Sequence, residues 1–264
     1  MGHTRLGALP KTRNWIEVVS YLSSSKVEGE EFRFQVDEIA ERTLRAAEGG
    51  LARAEYDLGL RFTFFLLAQI ALASRDRQWI PILHRMGIEL PPEGSLLELT
   101  VAIHKAIDEY VSRHSRPTDI SEIAQQAAGE AIAELAGPNV QALFGTGSEE
   151  LRLAVRGMST KKGFGELGQR FFGRFLFRYL NFYLSRATPT HVGSTFRDIH
   201  DVTTFNNLLS LHCEQSARIV KDYCGEWYSK TEYKRGITID RASEFIPRAI
   251  RKLRSELKLQ QEGS

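Results

Sequence analysis

Apolar residues recur along the chain at spacings of three and four, and strict apolar/polar alternation is nearly absent. That periodicity predicts helices and almost no sheet. Ser, Asp or Thr stands at plausible N-cap positions, and Gly or Pro follows the periodic runs. On this pattern helices fall near 11–24, 33–48, 51–75, 77–86, 95–113, 120–136, 149–158, 165–186, 195–230 and 241–259, an all-α, multi-helix globular protein of about ten helices. The strongest breaks are Pro91-Pro92-Glu93-Gly94 before Ser95, Ser115-Arg116-Pro117 before Asp119, and Gly137-Pro138. Asp119 and Glu122 have capping-box spacing. The break near 116 suggests two helical subdomains, 11–115 and 116–264, behind a leader at 1–10 expected to be disordered.

The longest apolar run, Phe64 to Ala73, is much shorter than the roughly 18–20 residues that span a bilayer. It reads as a core helix that buries Phe64, Leu66, Leu67, Ile70 and Leu72. Hydrophobic residues at 42% and charged residues at 26% are ordinary globular composition. A chain of 264 residues can bury about three quarters of its unfolded surface. The two cysteines, Cys213 and Cys224, speak against a disulfide framework and a four-ligand zinc site, and point to a reducing, cytoplasmic setting.

The net charge of +2 conceals a strong asymmetry. Residues 117–151 hold six acids (Asp119, Glu122, Glu130, Glu134, Glu149, Glu150) and neither Lys nor Arg. In 152–186 eight basic residues (Arg152, Arg156, Lys161, Lys162, Arg170, Arg174, Arg178, Arg186) face Glu166 alone, giving +7. Within the basic aromatic helix 165–186, Arg170, Arg174 and Arg178 are spaced i, i+4, i+8 and form one stripe, while Phe171, Phe172, Phe175, Leu176, Tyr179, Leu180, Phe182, Tyr183 and Leu184 occupy the other faces. So apolar a helix must be covered, and guanidiniums beside it require anions. Carboxylates of the acidic block are the nearest candidates, within the fold or across an oligomer; nucleic-acid phosphate and a membrane surface are the others. The C-terminal helix offers a second basic surface through Arg248, Arg251 and Lys252, with Arg254 and Lys258.

Catalytic patterns are sparse. Gly163-Phe164-Gly165-Glu166-Leu167-Gly168 matches GxGxxG, but Met158 to Lys162 precede it where a strand would be needed, so a hinge loop is the expectation rather than a dinucleotide site. Gly145-Thr146-Gly147-Ser148 reads as a loop ending in a serine N-cap. His200-Asp201 resembles the dyad of the all-α HD phosphohydrolases, which implies metal-bound hydrolysis; the upstream His and distant Asp of that pattern have no good match here. Arg186 and His191 form R-x4-H, which resembles the HEPN ribonuclease motif and implies RNA cleavage at a dimer interface; Pro189 interrupts the turn between them, and Pro81 does the same to Arg77 and His84. An enzyme would need Arg186, His191, His200 and Asp201 to converge. Cys213 and Cys224 are too far apart along one helix to share an ion with His212. No metal or small-molecule cofactor is expected.

Taken together these features predict a non-enzymatic interaction protein that self-associates or binds a protein partner through complementary acidic and basic helical surfaces. The second reading is a nucleic-acid or other polyanion binder using Lys161, Lys162, Arg170, Arg174, Arg178, Arg186, Arg248, Arg251 and Lys252. A helical nuclease or phosphohydrolase is the third.

Overall fold

The computed structural model describes residues 12–24, 31–140, 147–187 and 199–262; the leader 1–10 lies outside them. The described residues form eleven α-helices and no strand: α1 (Arg13–Ser24), α2 (Glu31–Ala54), α3 (Leu58–Ala73), α4 (Trp79–Arg85), α5 (Leu96–His114), α6 (Asp119–Ala136), α7 (Ser148–Arg156), α8 (Lys161–Ala187), α9 (Ile199–Ser216), α10 (Lys221–Arg235) and α11 (Ile239–Glu262). The all-α expectation holds.

Several boundaries differ from the periodic reading, each for a local reason. α2 continues through Gly49 and Gly50, and the break falls at 55–57. There i→i−3 backbone bonds from Glu55, Tyr56 and Asp57 tighten the helix end. Asp57 then caps α3, one carboxylate oxygen accepting from Leu60 N at 2.8 Å and the other from Thr118 Oγ1 at 2.6 Å. Thr118 is itself the N-cap of α6, with Ser121 as its reciprocal partner, so the capping box sits one residue before the expected Asp119 and Glu122. Asp57 thus ties the starts of α3 and α6 together. Ser95 and Glu98 form a full capping box on α5. Gly147 holds the N-cap position of α7, and Ser148 is already inside the helix. The run expected at 195–230 is divided by a 3-10 turn at Ala217–Val220. Pro247 lies inside α11, beyond its first two turns.

α8 is the axis of the molecule, packed by α6, α9 and α10. It begins at Lys161, four residues before the predicted start, so the GxGxxG segment is helix and not a hinge loop. The glycines let α10 approach: a methyl group on Gly165 would come within 2.8 Å of the Lys221 carbonyl oxygen, and one on Gly168 within 2.5 Å of Cys224 Sγ. The motif's close backbone approach is real, but its object is another helix. Across the core lies α3, whose Phe64, Leu66, Leu67 and Ile70 are buried, while Leu72 is partly buried. Phe64 is the centre of an aromatic cluster, stacked on Phe245 of α11 at 4.9 Å, with Trp227 of α10 at 5.2 Å and Phe164 and Phe172 of α8 at 5.7 and 5.9 Å. Such tilted and offset rings add to the area they bury. The buried apolar residues form one continuous cluster from Trp15 to Leu253. Among the described residues no helix is long and apolar enough to cross a membrane.

Candidate functional site

Tertiary structure sorts the basic residues into two groups: those neutralised inside the fold and those turned to solvent. The stripe on α8 belongs to the first. Arg170 pairs with Glu214 at 2.5 Å and lies 3.9 Å from Glu134. Arg174 pairs with Glu134, lies 3.5 Å from Glu214, and donates to Ser210 Oγ at 2.9 Å. Arg178 pairs with Glu130 and donates to Gln126 Oε1 at 2.5 Å. Three guanidiniums therefore meet three carboxylates in a ladder joining α6, α8 and α9. Glu130 and Glu134 come from the acidic block; Glu214 lies outside it, and no charge run marks it in the sequence.

Other members of the basic block are also partnered. Arg152 is buried and grips both oxygens of Glu149 at 2.7 Å while donating to the Ser74 carbonyl at 2.7 Å. Hydrogen bonds from Arg152 hold the Glu149 carboxyl below its ordinary range. Lys161 pairs with Glu226, whose pKa is lowered to about 2 by hydrogen bonds from Lys161 and Lys230. Lys162 is exposed.

A different arrangement occurs where the α2–α3 turn meets α11. The Glu55 carboxylate, in a residue only 6% exposed, accepts from Arg254 Nη1 at 2.9 Å and lies 3.6 Å from Arg251 Nε. The carbonyl of Glu55 accepts from Arg61 Nε and Nη2 at 3.2 and 2.9 Å. Among the described residues Glu55 thus gathers three guanidiniums, two on its carboxylate and one on its carbonyl. Arg251 keeps 61% of its side chain in solvent, and Arg248 and Lys252 beside it on α11 are exposed. Lys252 Nζ lies 5.1 Å from the Tyr223 ring and Arg61 5.4 Å from the Tyr56 ring. Tyr56 is 72% exposed. The result is a solvent-facing basic surface with aromatic flanks, and its organising residue, Glu55, carries no signature in the sequence.

Of the catalytic candidates Arg186, His191, His200 and Asp201, His200 alone has its side chain among the described residues. Arg186 is in the last turn of α8, His191 lies outside the described residues, and His200 and Asp201 open α9 with His200 exposed. Arg77 precedes α4, while His84 is within it, bonded to the Leu90 carbonyl at 2.8 Å. Cys213 and Cys224 are buried, and burial pushes both thiols well above their ordinary range, away from nucleophilic or ligating chemistry at neutral pH. No group of His, Cys, Asp and Glu among the described residues is placed to hold a metal ion.

The class defined by this fold is an all-α, multi-helix globular protein with a basic surface on its last helix. No protein-family model matches the chain, and no curated protein or solved structure matches it either.

Proposed function

We propose that this protein is a non-enzymatic binding protein that engages a polyanion, with nucleic-acid phosphate as the fitting chemistry, through Arg248, Arg251 and Lys252 on α11 and Arg61 on α3. The observation that carries this reading is the solvent-exposed run of Arg248, Arg251 and Lys252 on α11 beside the guanidiniums gathered at Glu55. Guanidiniums already oriented by a buried carboxylate lose little freedom on meeting phosphate oxygens, and they release counterions when they do. Two of the acids that the sequence offers for self-association, Glu130 and Glu134, pair with the α8 stripe within one chain. A partner is therefore sought on α11, where basic charge remains.

Retention on heparin and fluorescence anisotropy with a labelled oligonucleotide test it. The R248Q/R251Q/K252Q variant should keep its fold and bind more weakly, with a salt dependence shallower by about two to three in log–log slope. Absence of binding by the unmodified protein at low salt overturns the reading.

A further inference from the structure

Tyr56 is placed where an interior-facing ring is not needed. It lies in the three-residue turn between α2 and α3, whose backbone is tied by the bonds from Glu55, Tyr56 and Asp57 to the end of α2 and then by the Asp57 cap. The turn is held firmly, yet the Tyr56 ring is 72% exposed. Folding gains almost nothing from burying it. Beside it Arg61 lies over the ring at 5.4 Å, and Arg61 is itself fixed by two hydrogen bonds to the Glu55 carbonyl. The same Glu55 holds Arg251 and Arg254 through its carboxylate. An open aromatic face on a rigid turn therefore stands one residue from the centre of the guanidinium cluster.

Phosphate alone does not use such a ring. Aromatic platforms beside basic grooves are the device by which single strands are bound, because every base has a stackable face once it is unpaired. In a duplex those faces are covered by neighbouring base pairs, and only the backbone and groove edges are offered. We infer that the polyanion is single-stranded nucleic acid, with an unstacked base laid on Tyr56 while Arg61 and Arg251 take the flanking phosphates. This inference rests on the polyanion reading above and adds the requirement for a base.

The test compares three probes matched in total charge by anisotropy or competition: a labelled single-stranded oligothymidine, a DNA duplex, and heparin. Tyr56→Ala should weaken single-strand binding by about tenfold and leave heparin affinity within twofold, while Tyr56→Trp should retain single-strand binding. Because the ring is exposed, the melting temperature of Tyr56→Ala should match the unmodified protein, which separates loss of stacking from loss of fold. If Tyr56→Ala leaves single-strand affinity unchanged, or lowers all three probes equally, the stacking role is wrong while polyanion binding stands. A preference for duplex over single strand overturns the inference in the same way. If the unmodified protein binds none of the probes, both readings fall together.

Discussion

His104 carries its imidazole between α5 and α6, where its Nε2 is buried without a hydrogen-bond partner among the described residues and where a methyl on Gly129 would reach within 2.9 Å of it. Burial is the main reason its pKa lies below the usual 6.5; Arg178 across on α8 pushes the same way, and a hydrogen bond involving Gln125 and the charge of Asp108 oppose it. An unfolded chain takes up a proton as pH falls through about 6.5, while the folded His104 stays neutral, so the unfolded state binds more protons there. Stability should decline as pH falls from about 6.5 toward the lower folded value. The carboxylates held low by hydrogen bonds, Glu38, Glu98, Glu149 and Glu226, act below 4.5 and do not share this window. His104→Gln should therefore flatten the melting temperature between pH 7.5 and 5.5 relative to the unmodified chain. Calorimetry giving equal slopes for the two proteins would show that burial of this imidazole is not what sets the slope.

Helix pairing in this fold depends on small contact residues as much as on large ones. Gly168 gives the clearest case, since a methyl there would meet both Cys224 Sγ at 2.5 Å and Cys224 Cβ at 2.6 Å. Neither atom is the far end of a long side chain, so α8 and α10 would have to separate. Gly168→Ala gains about 1 kcal/mol of helix propensity and loses about 1–3 kcal/mol to overpacking. The net effect should be destabilisation of up to about 2 kcal/mol, visible as a lower urea midpoint. A stabilised variant would mean that the two helices slide apart at little cost. By contrast a methyl added at Gly147 or Gly157 would meet nothing within 4 Å, so these two make no such packing demand.

At the scale of the molecule, the ladder of Arg170, Arg174 and Arg178 with Glu130, Glu134 and Glu214 clamps α6 and α9 onto α8. The three arginine side chains are 42%, 23% and 31% exposed. Water therefore screens part of each pair, and the ladder contributes less than fully buried pairs would. Replacing all three with Gln leaves three carboxylates without their cations and should cost about 2 kcal/mol in total. For a chain of this size that is a fall of several degrees in melting temperature. Because the pairs are internal, native mass spectrometry should give the same oligomeric state for the variant as for the unmodified protein. Dissociation of an oligomer on mutation would place these arginines at a contact between copies.

The apolar period, the caps and the charge blocks, all readable along the chain, determined that this protein is helical, where most of its helices lie, that Phe64 to Leu72 is a core segment, and that the α8 arginines need anions. These properties depend on neighbours three or four positions apart, which periodicity records directly. Only tertiary structure decided that Gly165 and Gly168 serve a helix crossing, that Glu214 completes the ladder, and that Glu55 gathers Arg61, Arg251 and Arg254 beside an exposed Tyr56. Glu55 and Arg254 are separated by 199 positions, and no local pattern carries information over that span. The pairing exists because the packing of α11 against α2 and α3 brings two distant segments to one surface, where a buried carboxylate must find its cations.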